Sequence, residues 1–292
     1  MHTQSLFSAR SSTAAGCLSL LALAAGSAQA GVVLSYPTFA GACGTTLTCV
    51  GSAAESGSQL NLTPASGGAG AGYSTTPITL GAGATFSTTF QFQISQAGGI
   101  APADGLTFVV AAGASGLGGA GGGLGYFGVP NSMAVEFDTF DNGAVDGFTS
   151  NHVGVDTNGG LASAPLVNPY GVTTCDFSSG YLKPGCLSNG NIWTVTIGYD
   201  GVDLDVTVQD GNAAPQALIS NFAINLSSVL GTNTAFVGFT SATGGGLAQH
   251  TILNWKLAND TSLGPTVPEP ATLGLVALSL LGLAASRRTR RR

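Results

Sequence analysis

The feature that most constrains the fold of this chain is a series of short segments in which apolar and polar residues alternate. Side chains of a β-strand point to opposite faces in turn, so this alternation is typical of strands with one buried face. No stretch of ten or more residues between 31 and 260 repeats apolar residues at helical spacing. We therefore predict strands at SQLNLTP, TTPITL, ATFSTTFQFQIS, GLTFVVAA, MAVEFDTF, HVGVDT, NIWTVTIGYDG, VDLDVTVQD, AFVGFTSAT and HTILNWKLA.

Composition supports the same fold class. The chain of 292 residues contains 45 glycines and only 8% charged residues, which suits short strands joined by glycine-rich turns and not a helical bundle. The glycines follow no period, which excludes collagen. Residues 31–260 have the length of one large sandwich domain. We predict an all-β fold of two antiparallel sheets, with the glycine-rich residues 113–125 as a loop of that domain.

The N-terminal residues 1–30 have the pattern of a secretory signal peptide. Arg10 precedes the apolar run AAGCLSLLALAAG, and the small residues AQA stand before Gly31. The apolar run is too short for a membrane-spanning helix. We expect cleavage after Ala30 and export of the remainder.

The C-terminal residues 261–292 combine a linker with the sequence VPEP, an apolar segment at 271–285 and a basic tail at 287–292. This arrangement resembles the PEP-CTERM sorting signal of Gram-negative bacteria. The resemblance implies transient anchoring in the inner membrane with the basic tail inside, and then cleavage by a sorting protease of the exosortase type. The expected location is the cell surface or extracellular matrix.

Removal of both ends leaves a strongly acidic domain. Most of the eight Lys and Arg residues lie in the basic tail, and the domain retains Lys183 and Lys256 against most of the 14 acidic residues. Such a domain repels phosphate backbones, so we expect no nucleic-acid partner. It would attract divalent cations.

Four cysteines remain in the exported domain. An even number of cysteines in an exported protein favours disulfides, and a zinc site would need closer Cys-x-x-Cys spacing. Of the three connectivities that four cysteines allow, we favour the two local pairs, Cys43–Cys49 and Cys175–Cys186.

Potential metal ligands are concentrated between Met133 and Asp156. A strand through VEFDTF would place Glu136, Asp138 and Phe140 on one face. Adjacent carboxylates repel each other unless protons or a cation neutralise them. Oxygen ligands suit Ca²⁺, and an added imidazole suits Mn²⁺ or another transition ion. The candidate metal ligands are Glu136, Asp138, Phe140, Asn142, Asp146 and His152.

A catalytic interpretation of the same segment stays open. EFDTFD approaches the Glu-x-Asp-x-x-Glu signature of laminarinase-type glycoside hydrolases, in which the outer carboxyl groups act as nucleophile and acid. Here those positions are Glu136 and Asp141, and Asp141 is one methylene shorter than the signature requires. The signature leaves Asn142, Asp146 and His152 unexplained.

The chain resembles the metal-binding region of legume (L-type) lectins in the spacing Glu136-x-Asp138-x-Phe140-x-Asn142-x-x-x-Asp146, followed by His152-x-Gly154-x-Asp156. Further segments resemble that family in the same chain order: ADGLTFVV, GGGLGYFG and VGFTSATGGGLAQHTILNW. The resemblance covers nearly the whole exported domain. It implies a concanavalin-like jelly roll at 31–260 and a cis peptide bond between Ala103 and Asp104.

The resemblance also implies roles for individual residues. Ca²⁺ would be held by Asp138, the Phe140 carbonyl, Asn142 and Asp146. A second, Mn²⁺-like ion would be held by Glu136, Asp138, Asp146 and His152. The sugar-binding residues would be Asp104, Gly122, Asn142, Phe140, Gly245 and Gly246. Where the family has a serine that contacts the second ion through water, this chain has Gly159, and residues 166–186 form an insertion.

The expected function is therefore that of an exported, Ca²⁺-dependent carbohydrate-binding protein and not of an enzyme. Its expected ligands are exopolysaccharide or matrix glycans. Multivalency would strengthen weak single sites, which favours a homo-oligomer. The alternatives are the glycoside hydrolase using Glu136 and Asp141, and a matrix or adhesion scaffold that binds no sugar.

Overall fold

The structure is a computed structural model that describes residues 31–113 and 116–259. Within these ranges the chain forms sixteen β-strands and one short α-helix, α1 (Leu226–Leu230). In chain order the strands are β1 (Val32–Tyr36), β2 (Leu47–Gly51), β3 (Ala54–Ser56), β4 (Gln59–Thr63), β5 (Ala69–Ser74), β6 (Ile78–Thr79), β7 (Phe86–Gly99), β8 (Gly105–Ala111), β9 (Ser132–Asp138), β10 (His152–Thr157), β11 (Leu166–Val167), β12 (Trp193–Tyr199), β13 (Asp203–Asp210), β14 (Gln216–Ala223), β15 (Thr234–Ala242) and β16 (Gly246–Ala258).

The strands form two sheets, which we call the front sheet and the back sheet. The front sheet has the order β11-β10-β9-β8-β15-β5-β2, and β6 also pairs with β15. The back sheet has the order β14-β13-β12-β7-β16-β4-β3, and β1 also pairs with β16. Neighbouring strands run antiparallel in both sheets. The predicted all-β antiparallel sandwich is confirmed.

Aromatic side chains from both sheets form the core between them. Phe90 of the back sheet lies 4.9 Å, centroid to centroid, from Phe239 of the front sheet and 5.9 Å from both Phe108 and Phe137. All four rings are fully buried. Trp193 and Trp255 are also buried, as expected for aromatic residues in alternating runs. Burial of this apolar area is the main term that holds the sheets together.

Strand β9 of the front sheet carries two of the predicted metal ligands, Glu136 and Asp138. Met133, Val135 and Phe137 point into the core between the sheets, so Glu136 and Asp138 point to the opposite face. The strand ends at Asp138, so the predicted extension of this strand to Phe140 is wrong. The cause is local: the backbone N–H of Phe140 donates to Asp138 Oδ1 at 2.7 Å, which turns the chain out of the sheet.

Both predicted disulfides are present. Cys43–Cys49 and Cys175–Cys186 have Cα–Cα distances of 5.5 and 5.7 Å. The second closes a loop on the insertion between β11 and β12. The glycine-rich segment before β9 is a loop that contains one 3₁₀ turn, Gly121–Gly123.

Several elements have no clear signal in the sequence. The predicted strands NIWTVTIGYDG and VDLDVTVQD pair as β12 and β13. The glycine-rich strand β5 was not predicted, and neither were β1, β2, β3, β11 and β14. The last five strands are short or partly exposed, so apolar residues do not mark one face of them. Helix α1 begins after Asn225, whose side chain accepts from the Ser228 N–H at 2.9 Å.

The predicted signal peptide at 1–30 and the sorting segment at 261–292 lie outside the described residues. In the part of the chain that the structure describes, no helix is long and apolar enough to cross a membrane.

The aromatic core makes a stability prediction. Replacement of Phe90 by Ala should lower the free energy of unfolding by about 3–5 kcal/mol, because it leaves a cavity between the sheets. Urea unfolding monitored by circular dichroism measures this change. Val202 is 64% exposed, and Val202→Ala should stay within about 0.5 kcal/mol of the parent. A Phe90→Ala protein as stable as the Val202→Ala control would contradict this account of the core.

Candidate metal centre and adjoining loops

Strand pairing brings an acid pair and a histidine together on the outer face of the front sheet. His152 is the register partner of Asp138, and Glu136 lies two residues earlier on β9. His152 Nε2 is 3.1 Å from Glu136 Oε1. Each of the three residues is at most 3% exposed, and each offers a ligand atom within 4.8 Å of the other two. Three of the six predicted ligands therefore form a compact donor set.

The loop after β9 adds a third acid. Asp146 ends a 3₁₀ turn, Gly143–Asp146, and its Oδ2 accepts from the Asn142 backbone N–H at 2.5 Å. Its side chain is buried against the cluster. Asp141 is exposed, and its Oδ1 accepts from the Gly143 N–H at 2.7 Å. The turn thus separates Asp146, which faces the cluster, from Asp141, which faces solvent.

Sequence reasoning missed one member of this site, Ser163. Its hydroxyl lies between Glu136 Oε1 and Asp156 Oδ1, and it is 3.1 Å from the latter. Gly154 permits this approach, since a Cβ there would lie 2.5 Å from the Ser163 Cβ and 2.7 Å from Glu136 Oε1. The only signal in the sequence is that Ser163 follows Asp156 by seven residues. Spacing alone does not predict that the loop after β10 brings Ser163 back to Glu136.

Burial and mutual repulsion disfavour ionisation of these acids. Burial raises the pKa of Glu136, of Asp138 and of Asp146, and the negative charge of Asp146 adds to the effect at the other two. Burial also lowers the pKa of His152, so its ring is neutral and able to act as a ligand. Without a bound cation, the carboxyl groups of the cluster would therefore tend to stay protonated and neutral.

The donor set fits divalent cations. Asp156 Oδ2 and Asp104 Oδ2 are buried and lack a hydrogen-bond partner within the described residues. Burial of a carboxyl oxygen without a hydrogen bond or a cation costs free energy. Carboxylate and carbonyl oxygens suit Ca²⁺, and the oxygen set with one imidazole nitrogen suits a transition ion.

Asp104 lies beside the cluster at the end of β15 and the start of β8. The peptide bond between Ala103 and Asp104 is cis, as the family resemblance implied. The Asp104 N–H donates to the Ala242 carbonyl at 3.1 Å, and the Asp104 carbonyl accepts from the Thr139 N–H at 2.8 Å. Burial raises the pKa of the Asp104 carboxyl to about 6, although a hydrogen bond from the Gly244 N–H opposes the shift.

Glycine backbone closes in on Asp104 and Asn142 from two loops. A Cβ on Gly122 would lie 2.7 Å from Asn142 Oδ1, and one on Gly244 would lie 3.4 Å from Asp104 Oδ2. The two loops are joined, because the Gly121 N–H donates to the Thr243 carbonyl at 3.2 Å. The structure thus brings three predicted residues, Asp104, Gly122 and Asn142, to one place.

The other predicted contacts lie around this place. Gly245 is exposed in the loop before β16. Gly246 is buried as the first residue of β16, and a Cβ there would lie 2.6 Å from the Ala103 Cβ. Phe140 is half-buried in the loop that follows β9.

The two antiparallel sheets, with this acid–histidine cluster beside Asp104 and a glycine loop, form a sandwich of the lectin type. A model of the legume lectin domain matches residues 32–270, and a model of the PEP-CTERM protein-sorting motif matches residues 266–291. The chain belongs to the legume lectin family and carries a C-terminal sorting motif of exported proteins.

Individual relatives agree with this assignment. An L-type lectin-domain containing receptor kinase (VIII.1) of Arabidopsis thaliana is 33% identical over 183 residues, which are 60% of this chain and 24% of the relative. The chain therefore spans about a quarter of that protein. A lectin from Bauhinia forficata in complex with GalNAc superposes with a TM-score of 0.63 at 25% identity, over 78% of this chain and 97% of the lectin. The acidic lectin of winged bean, complexed with methyl-α-D-galactose, gives a TM-score of 0.63 at 25% identity, over 77% and 96% of the two chains.

The raised carboxyl pKa values make a pH prediction. A carboxyl whose pKa is higher in the folded than in the unfolded chain stabilises the fold below its unfolded value of about 4, and this stability is lost as pH rises through the folded value. For Asp104 the folded pKa is about 6. In chelator, we expect the melting temperature to fall by several degrees as the pH is raised from about 4 through 6.

With Ca²⁺ the trend should reverse, because bound cations need ionised carboxylates. Asp146→Asn should weaken the response to Ca²⁺, because Asp146 is one of the expected Ca²⁺ ligands. Asp205 is an exposed acid of the back sheet, and Asp205→Asn should behave like the parent. Differential scanning fluorimetry measures all of these. A chelated protein that becomes steadily more stable over this pH range would show that the cluster is not a set of buried, mutually repelling acids.

Proposed function

We propose that this chain is an exported, Ca²⁺-dependent carbohydrate-binding protein of the cell surface or extracellular matrix. The observation that carries the proposal is the convergence of Asp104, Asn142 and the Gly122 backbone directly beside the buried acids Asp138 and Asp146. Polar groups fixed by backbone hydrogen bonds on rigid strand ends can meet sugar hydroxyl groups without a large entropy cost.

We assign the metal ligands as follows. Ca²⁺ would be held by Asp138, the Phe140 carbonyl, Asn142 and Asp146, and a Mn²⁺-like ion by Glu136, Asp138, Asp146 and His152. When bound, these cations would supply the positive charge that lets the carboxylates ionise together. The chain orients its own ligands, since the Phe140 and Asn142 N–H groups hold Asp138 and Asp146, and the Ser163 hydroxyl holds Glu136.

We assign the sugar contacts to the same edge of the sheet. The Asp104 carboxylate would accept hydrogen bonds from sugar hydroxyl groups, and the Asn142 amide and the Gly122 N–H would donate them. The backbone at Gly245 and Gly246 would add contacts, and the Phe140 ring would pack against a pyranose face. Gly122 suits this role, because any side chain there would collide with Asn142.

Export is supported by the sorting motif matched at 266–291. In this proposal residues 1–30 direct secretion, the apolar segment 271–285 anchors the chain transiently in the inner membrane, and an exosortase-type protease releases it. The natural ligand would then be exopolysaccharide or another matrix glycan, and a homo-oligomer would give the multivalency that weak sugar sites need.

The glycoside hydrolase alternative gains no support from this geometry. Glu136 is 3% exposed and is occupied by contacts with His152 and Ser163. Asp141 is exposed and bonded to its own turn. The two carboxyl groups therefore do not face one open groove, as the acid and nucleophile of a retaining glycosidase must.

Replacement of Asp104 by Asn separates sugar binding from metal binding. We expect glycan binding to weaken by about 10- to 100-fold, since a charged acceptor is lost, while Ca²⁺ still raises the melting temperature. Glycan arrays with Ca²⁺ and with chelator, followed by calorimetric titration, measure both effects, and Asp205→Asn is the matched control.

Three outcomes would contradict the proposal in different ways. Stabilisation by Ca²⁺ without binding to any glycan would favour a matrix or adhesion scaffold. Glycan binding that is unaffected by chelator would remove the metal requirement. Release of reducing ends from β-glucans, lost in Glu136→Gln, would favour the hydrolase.

A further inference from the structure

A cleft next to the candidate sugar site is lined by exposed apolar side chains. Its volume is about 390 Å³, within the roughly 300–1,000 Å³ typical of small-ligand sites. Three of its lining side chains are strongly exposed apolar groups: Ile100 at 70%, Phe148 at 73% and Phe177 at 45%. Phe140, Asp141 and Asp176 also line it. We call this feature the aromatic cleft.

One wall of the aromatic cleft is the disulfide-closed insertion, and buried hydrogen bonds hold this wall in place. Asn151 is fully buried. Its amide donates to the carbonyls of Val172 at 2.8 Å and Gly185 at 2.9 Å, and its Oδ1 accepts from the Leu187 N–H at 2.9 Å. The Cys175 N–H donates to Ser150 Oγ at 2.9 Å. Phe177 is thus carried by a loop that is fixed on both sides of the Cys175–Cys186 bond.

The lining of the cleft adjoins the loops of the candidate sugar site. The Ile100 N–H donates to the Gly245 carbonyl at 3.2 Å, and a Cβ on Gly245 would lie 3.3 Å from Ile100 Cδ1. On the other wall, Phe140 stands two residues before Asn142 in the same loop. Residues that line the cleft thus contact, or lie in the same loop as, residues of the candidate sugar site.

The lining indicates which sugars fit. A pyranose ring has an apolar C–H face that packs on aromatic rings and hydroxyl groups at its edge that donate to carboxylates. Hydrogen bonds from Ser179 and Ser178 lower the pKa of Asp176, which therefore stays charged. None of the lining residues in the described chain is basic. The carboxylates of Asp141 and Asp176, with no basic side chain beside them in the lining, disfavour acidic sugars such as uronates.

We propose that the aromatic cleft is a second saccharide subsite, which binds the next neutral sugar units of a glycan chain whose first unit lies at Asp104 and Asn142. This inference rests on the proposed function and narrows it. The ligand is an extended neutral polysaccharide segment, not a single terminal sugar and not a polyuronate.

Calorimetric titration in saturating Ca²⁺ tests the inference. The probes are methyl α-D-galactoside, N-acetylgalactosamine, and methyl glucoside and mannoside, each with neutral linear tri- and tetrasaccharides of the same unit, and oligogalacturonate as the acidic probe. We expect a neutral oligosaccharide to bind at least about tenfold more tightly than its own monosaccharide. Phe177→Ala and Phe148→Ala should each lower the oligosaccharide affinity by about three- to tenfold and leave the monosaccharide affinity within about twofold.

Matched variants control the comparison. Leu182 is 65% exposed on the same insertion but does not line the cleft, so Leu182→Ala should bind both probes like the parent. Asp104→Asn should weaken mono- and oligosaccharide alike. Asp176→Asn should raise the affinity for oligogalacturonate, because one repelling charge is removed.

Several results would overturn the inference. Oligosaccharides that bind no more tightly than monosaccharides, or a Phe177→Ala variant that weakens both equally, would show that the cleft is not a subsite while leaving the proposed function intact. A change of sedimentation coefficient in Phe177→Ala without a change in oligosaccharide affinity would make the cleft a surface between copies of this chain. Absence of binding to every probe by the parent protein would overturn the proposed function and this inference with it.

Discussion

Mutual repulsion among buried carboxyl groups is the constraint around which this site is organised. Glu136, Asp138 and Asp146 lie in a small volume with little access to water, where negative charges cannot accumulate without protons or a cation. The rest of the region follows from this requirement. The turn that brings Asp146 to the cluster also turns Asn142 toward the glycine loops, so the groups expected to hold metal and those expected to meet sugar share one loop.

The β-sandwich fixes the relative positions of these side chains. Antiparallel pairing of β9 and β10 places His152 opposite Asp138, and the aromatic core beneath holds both strands in register. Glycine is needed where backbone must approach closely: Gly154 admits Ser163 to Glu136, and Gly122 admits a backbone loop to Asn142. The sheet register and these glycines together position the acid cluster and the loops beside it. The insertion adds a feature of this chain, a rigid aromatic wall beside the site.

Much of the fold and part of the site could be predicted from the sequence. Strong period-two alternation predicts long strands such as β7 and β16. The close spacing of the cysteines in two pairs predicts both disulfides. Prediction failed where a local hydrogen bond or the path of a loop determines the position of a residue. Phe140 leaves the sheet because Asp138 captures its N–H, and Ser163 reaches Glu136 through a loop whose direction no spacing reveals. The aromatic cleft was also invisible, because Ile100, Phe148 and Phe177 are far apart in the chain.

The central claim is that the acid cluster is a two-cation centre that organises the sugar-binding loops. Anomalous diffraction from crystals grown with Ca²⁺ and Mn²⁺ tests it most directly. The account predicts a manganese peak among Glu136, Asp138, Asp146 and His152, and a calcium site between Asp138, Asn142 and Asp146. Crystals with no anomalous peak in this region, and with the carboxyl oxygens within hydrogen-bond distance of one another, would contradict it.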